Sequence, residues 1–492
     1  MKQWMVYLLL AIFGVCTARG EQVTEAPKVQ GALLTLYDRS MGLVRERRTV
    51  NLLAGDNLAV LPDVPAGMDP STLFFTPPAS VMGVETLSIN FRNDLADPIR
   101  FLAQGYGRRM IADTAERRCE GTLLRVMESR GAIEALALTA EGGGVVMVPW
   151  KDVLRVEIPD LAGAVYARPT LLWRLSSQKD QMQSVRLNYA VDGLQWDAEY
   201  NLILSEDRKD GHLSGKIKLS NQTGGDFEEA TLRLVATEKG VAEQLETELD
   251  RGSDAFSDSQ RRFYFGSTLL KEERVFDGLN PVFTYACPQT VSLSAGDEKF
   301  IRYVDAERMP MVQQYVYDGV VFDRFQRNRR NDWNYGTESR RTVEVYLNFQ
   351  NSQPSGLPGE ALAPGRYRLF QRLADGGVDY LGETFYGVVP ADAEATLRLG
   401  AARDLSGWRE RVGYSEVVPL HEYEETFEIL LKNGQEEDVV ILVVEHLYRW
   451  SNFDIVKSDS EYERRGDDVI VFNPLVKAGG SRTLRYTVRY RW

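Results

Sequence analysis

Apolar and polar residues alternate along most of this chain. The longest such stretch, VRLNYAVDGLQWDAEYNLIL (185–204), is the one the rest is read against. Val185, Leu187, Tyr189 and Val191 alternate with Arg186, Asn188 and Ala190, the period of a strand with one buried face. Asp192-Gly193 tolerates positive φ and suits a two-residue hairpin turn. Leu194, Trp196, Ala198, Tyr200, Leu202 and Leu204 then point one way, with Gln195, Asp197, Glu199 and Asn201 opposite. The pattern predicts a long hairpin with an aromatic inner face.

The same texture fills both flanks. Residues 32–92 read as strand after strand, with a turn at 54–57 and short pieces bounded by Pro62, Pro65 and Pro70. At Asp97-Pro98 the texture changes: an N-cap, Pro at the first helical position and IRFLAQ ending at Gly105 predict a short helix. Short strands follow to residue 158, so 97–160 reads as a small SH3-like or Sm-like barrel inserted between strands that pair with each other. Gly142-Gly143-Gly144 is a turn, since no Lys-Ser/Thr and no helix follow it as a phosphate loop requires. The polar, acidic stretch 238–262 reads as a connector. From Arg341 on, VEVYLNFQN, YRLFQRL, ATLRLG, ETFEILLKN, VVILVVEHL and DVIVFN predict an immunoglobulin-like sandwich. Its closing strand alternates Leu484, Tyr486, Val488, Tyr490 and Trp492 with Arg485, Thr487, Arg489 and Arg491. An aromatic C-terminal strand also resembles an outer-membrane barrel signal, but short, uneven, Pro-bounded strands favour a sandwich with the arginines toward water. The expected fold class is all-β and multidomain. Its divisions are a leader (1–20), an N-terminal β segment (21–96), the barrel (97–160), a central β domain (161–338) and the sandwich (339–492).

Charge and cysteine usage narrow the function classes. The formal charge of −13 argues against wholesale nucleic-acid binding, which needs a basic footprint. Lys2, the apolar stretch from Met5 to Gly14 and Ala18-Arg19-Gly20 read as a secretory signal too short to span a bilayer. Its removal leaves 56 basic against 71 acidic residues, a charge of −15, and a mature start near Glu21. Cys16 raises a lipoprotein alternative, although Val15 stands where Gly or Ala is usual. No later segment is long and apolar enough for a transmembrane helix, so the mature protein is expected to be exported, periplasmic or extracellular, and not membrane-spanning. Cys119 and Cys287 remain as one possible disulfide or two free thiols.

Several strings together carry a family likeness. YDRSMGLVRERRTV (37–50), DVPAGMDPSTL (63–73), the 189–204 stretch, GETFYG (382–387), VVEHL (443–447) and the closing LRYTVRYRW resemble domain-of-unknown-function family 4139. Some members of that family are labelled mucoidy-inhibitor-A-like and often carry a coiled coil where this chain has its barrel-like segment. The resemblance implies no activity, cofactor or catalytic residue.

Candidate chemistry is sparse. The histidines are His212, His421 and His446. His421-Glu422-Tyr423-Glu424-Glu425 lacks the second histidine of a zinc HExxH helix, and His446 reads as a structural strand residue. No nucleophile elbow, P-loop or dinucleotide fingerprint stands in a strand-turn-helix setting. Asp197 and Glu199, two apart on one face, could serve glycoside hydrolysis or calcium binding, or could simply keep an outer face wet. Trp173, Trp196, Trp333, Trp408 and Trp450 could include sugar-stacking residues, with core packing the default. The segment 324–335, rich in Arg, Asn and aromatics, suits an anion, a glycan or a solvated loop, and Asn221-Gln222-Thr223 is a glycosylation sequon. No cofactor, metal ligand set or catalytic residue is assigned. The leading reading is a non-enzymatic envelope or extracellular protein that binds or scaffolds a macromolecule, protein or polysaccharide. The alternative is a carbohydrate-active hydrolase using a carboxylate pair.

Overall fold

The computed structural model describes residues 22–27, 31–37, 41–76, 78–140, 142–237, 282–287, 289–321, 333, 335–465 and 468–491. The fold is all-β and multidomain, with five sheets among the described residues. The chain divides into two compact units, Met1–Trp196 with Leu219–Val235 and Thr284–Lys299, and Asp197–Lys218 with Ala236–Phe283 and Phe300–Trp492.

In the first unit, β1 (Gln22–Glu25), β4 (Gly55–Pro62), β12 (Thr170–Ser177) and β6 (Val84–Arg92) form one sheet in that order. A second runs β17 (Val282–Ala286), β16 (Phe227–Thr237), β2 (Leu33–Tyr37), β3 (Met41–Leu52), β13 (Gln181–Asp192) and β5 (Phe74–Thr76), with β18 (Val291–Leu293) paired to β16. Strict alternation sends Val44, Val50, Leu52, Val185, Leu187 and Val191 inward. The two buried faces meet where Phe75 stacks on Trp173 with ring centroids 4.0 Å apart.

Strands β6 and β12 are antiparallel partners, with Thr170 opposite Arg92. The chain between them builds its own small sheet. It begins with α1 (Pro98–Ala103), where the Asp97 side chain accepts from the Ile99 and Arg100 amides at 2.8 and 3.3 Å. Then come β7 (Arg109–Thr114), β8 (Arg118–Ser129), β9 (Ala132–Thr139), β10 (Val145–Pro149) and β11 (Val153–Glu157), ordered β10-β9-β8-β7-β11. Leu102, Met110, Leu123, Val126, Leu136 and Val148 give this segment a core of its own. Gly121 is required there, since a Cβ would stand 1.9 Å from the Thr139 carbonyl oxygen. Cys119 lies in that core, and both it and Cys287 are free.

The expected 185–204 hairpin does not form. β13 is held by β3 on one edge and β5 on the other, while β14 (Leu194–Leu204) belongs to another sheet. With both edges of β13 occupied, β14 has nowhere to pair. Gly193, at φ 91°, is the single residue between them, and a Cβ there would lie 2.8 Å from the Gln222 carbonyl carbon. It makes a sheet-switching corner, sealed by the Gln222 amide donating to its carbonyl at 2.7 Å. The burial register itself is as the alternation predicts: Leu194, Trp196, Ala198, Tyr200, Leu202 and Leu204 are all buried.

A further sheet, most of whose residues belong to the second unit, runs β19 (Glu298–Pro310), β15 (Asp210–Asn221), β14, β22 (Gly365–Arg372) and β23 (Val378–Tyr386), with Tyr200 stacked on Tyr367 at 4.3 Å. The largest sheet runs β27 (Phe453–Ser458), β31 (Ser481–Arg491), β25 (Glu422–Asn433), β24 (Glu394–Val418), β21 (Thr342–Gln350), β20 (Val312–Asp318), β26 (Val439–His446), β29 (Val469–Phe472) and β28 (Glu463–Arg464). β30 (Leu475–Val476) pairs with β26 beside that path. This sheet includes β20, from before Arg341. It curls so that its two halves share a core, and Phe472 of β29 meets Tyr486 of β31 at 5.7 Å. Leu484, Tyr486, Val488 and Tyr490 are fully buried in that core. The arginines opposite them pair with glutamates of β25: Arg485 with Glu428, Arg489 with Glu424 and Arg491 with Glu422. No helix among the described residues is long and apolar enough to cross a membrane. The leader, Cys16, the 238–262 connector, most of 324–335 and Trp492 lie outside the described residues.

Candidate functional site

A cleft of about 440 Å³ opens in the first unit, lined by Asp63, Arg168, Asp226, Glu228 and the main chain at Gly31 and Gly224. The loop 63–73 builds one wall. Its Gly67 amide donates to the Thr223 carbonyl at 2.9 Å, and the Asp69 amide donates to the Ala190 carbonyl at 3.0 Å. Ser71, through its hydroxyl and its amide, holds the Asp69 carboxyl below the usual carboxylate range. Asp63 sits at φ 60°, a left-handed conformation uncommon outside glycine, and accepts Arg168 on both oxygens at 2.7 and 2.9 Å. Asn221 braces the facing turn: its Nδ2 donates to the Gly225, Leu293 and Ser294 carbonyls, and its Oδ1 accepts from Thr223. Because Asn221 is fully buried, the sequon is closed to modification in the folded chain.

The densest chemistry is inside the second unit. Arg409 Nε donates to Glu445 at 2.8 Å, its Nη1 donates to the Gly336 carbonyl at 2.8 Å, and its guanidinium lies 3.7 Å over the Phe427 ring. The Tyr486 hydroxyl donates to the same Glu445 oxygen at 2.5 Å. Beside it, Glu425 accepts Arg411 at 2.9 Å and Arg449 at 2.8 Å. The side chains of Arg409, Glu445 and Glu425 are wholly buried. Burial works against the charge on Arg409, but Glu445 outweighs it and raises the pKa well above its usual value. Burial and then the Glu445 charge push Tyr486 well above an ordinary phenol. Every cation here is committed to a carboxylate or a carbonyl. The arrangement fixes the packing of two sheet halves.

The residues singled out from the sequence are scattered. Glu199 pairs with Arg368 of β22, which also faces Glu383 at 3.6 Å, so it belongs to a ladder of alternating charge. His212 meets Asp305 at 2.6 Å, His446 meets Asp318 at 3.2 Å, and His421 is exposed. Trp173 and Trp196 are core residues, 0 % and 2 % exposed. Core packing fails for Trp333, Trp408 and Trp450, which are 56 %, 40 % and 37 % exposed. Arg411 lies 4.6 Å from the Trp333 ring and Arg341 4.6 Å from the Trp408 ring. Among the described residues, no three His, Cys, Asp or Glu side chains are grouped as a metal ion would need.

Compared with protein-family models and with curated proteins, the chain matches none. Sequence reading missed the buried ion pairs, though the signal was present. Glu46 and Arg48 occupy the apolar phase of MGLVRERRTVNL, and Glu425 occupies that of EYEETFEILLKN. A charge in an apolar register must find an internal partner.

Proposed function

We propose that this is an exported binding or scaffolding protein of the cell envelope or extracellular space, and that the cleft at Asp63 and Arg168 is where it holds a macromolecular partner. The cleft carries this reading, because its polar wall is assembled from three separate loops locked by main-chain hydrogen bonds. A hydrolase reading is supported less: Glu199, half of the carboxylate pair, is held by Arg368 on the neighbouring strand. The test is a pull-down from envelope extract with the purified chain beside Arg168→Ala, which opens the Asp63 grip. Loss of a specific captured species in the variant supports the proposal. An identical captured set, or hydrolysis of a polysaccharide by the wild type, sinks it.

A further inference from the structure

The outer face of the sheet β16-β2-β3-β13-β5 is basic on an acidic protein. Three cross-strand rows are fixed by register: Arg233, Thr35, Leu43 and Ala190; then Thr231, Leu33, Arg45, Asn188 and Phe74; then Arg47, Arg186 and Thr76. Arg45, Arg47, Arg186 and Arg233 are all exposed. The face is open to solvent, since Phe74 and Leu43 on it are 59 % and 41 % exposed. Asp192, at the far end of β13 opposite Met41, is the one carboxylate the register puts on this side of β2, β3, β13 and β5, and β16 adds the exposed Glu229 two residues before Thr231.

Two features separate this face from an ordinary solvated one. Elsewhere the chain sets exposed sheet arginines beside glutamates, as in Arg485 with Glu428 and Arg109 with Glu120. Here Arg45 donates to the Asn188 amide oxygen and Arg233 to the Thr284 hydroxyl, and among the described residues none of the four has a carboxylate partner. Arg47 also stands directly opposite Arg186, a like-charge pair that weakens a sheet. The diagonal from Arg233 to Arg186 covers roughly 20 Å at ordinary strand spacing, longer than one small anion can bridge.

We infer that this face binds an acidic polysaccharide, laid across the strands with its carboxylates on the arginines. Guanidinium forks grip carboxylates bidentately. The interleaved Thr35, Thr49, Ser184 and Thr76 offer hydroxyl partners for sugar hydroxyls. A nucleic-acid duplex carries a charge about every 1.7 Å, and a body with a formal charge of −13 repels whatever four arginines leave uncovered. None of the four arginines lines the cleft.

The test titrates the purified full chain at low salt with polygalacturonate, using neutral dextran, duplex DNA and phosphatidylglycerol-containing vesicles as comparisons. Polygalacturonate should bind and dextran should not, with affinity falling as salt rises. Arg47→Ala/Arg186→Ala should weaken binding at least tenfold with no loss of melting temperature, and Arg233→Ala should weaken it from another strand. Arg47→Lys/Arg186→Lys should retain part of it, and Arg168→Ala in the cleft should leave it unchanged. The inference is overturned if polygalacturonate does not bind, if the alanine variants bind as the wild type does, or if DNA or vesicles bind more tightly through the same arginines.

Discussion

Replacing Arg409 by methionine should unfold much of the second unit. Arg409 and Glu445 have no exposed side-chain surface, so the substitution leaves Glu445 with Tyr486 as its remaining donor in a core of Phe427, Ile441 and Phe472. Stranding one member of a fully buried ion pair costs about 3–5 kcal/mol. The Gly336 carbonyl also loses its donor, which adds about 1 kcal/mol. The total, about 4–6 kcal/mol, is a large fraction of the 5–15 kcal/mol by which domains are ordinarily stable. Arg409→Met/Glu445→Gln removes the stranded charge while keeping an acceptor for Tyr486. It should recover about 2 kcal/mol relative to the single variant, because the cost lies in the unpaired charge and not in the missing bond. Urea unfolding followed by hydrogen exchange of the β26 and β31 amides isolates this unit from the first. A single variant as stable as wild type, or a double variant whose loss is the sum of the two singles, would refute the reasoning.

Other outcomes follow from features outside that ion-pair core. Trp196→Ala should cost about 3–5 kcal/mol, since the ring is buried and its Nε1 donates to the Val235 carbonyl at 3.3 Å, whereas Asp197→Asn should cost under about 1 kcal/mol; equal urea midpoints for Trp196→Ala and wild type would contradict the inner face. Excising 97–160 with a short Gly/Ser join should leave a soluble chain whose β6 and β12 amides stay protected, and collapse of the remaining sheets would show a shared core. Burial opposes ionisation of Asp94, but Arg92 at 2.8 and 2.9 Å and the Tyr166 amide at 2.9 Å outweigh it and lower its pKa. The folded carboxyl therefore loses its proton before the unfolded one does, at about pH 3.9. Its contribution is whole above that pH and disappears as pH falls through the folded value. Urea midpoints of Asp94→Asn should accordingly vary less than wild type between about pH 4 and pH 2, and an unchanged acid slope would exclude this role.

Much of the architecture was legible because a period of two is a local property. The burial of Leu194 to Leu204, the Asp97-Pro98 helix start and the alternation of the closing strand all follow from residues within a few positions of one another. Strand partnership is not local. Asp192-Gly193 has the composition of a hairpin turn, yet β3, about 140 residues before β13 in pairing distance, claims the edge the hairpin would need. Burial of tryptophan was misread where arginine planes cover the ring, as at Trp333 and Trp408, because stacking on a cation satisfies an aromatic face without enclosing it. The cleft was invisible for the same reason as the pairing: Asp63, Arg168 and Glu228 converge only after three distant loops have docked.

The attachment of the 97–160 segment bears on how the first unit folds. Bringing Arg92 opposite Thr170 closes a loop of about 80 residues, and each doubling of loop length adds about 0.6 kcal/mol of closure entropy. If the segment between folds first, its compact body draws the two ends toward each other and the effective loop shrinks to the few residues on either side. A small domain with its own core and mostly hairpin-linked strands is suited to that early step. The insert then acts as a clasp in time: its own folding lowers the barrier for a pairing in which its strands take no part.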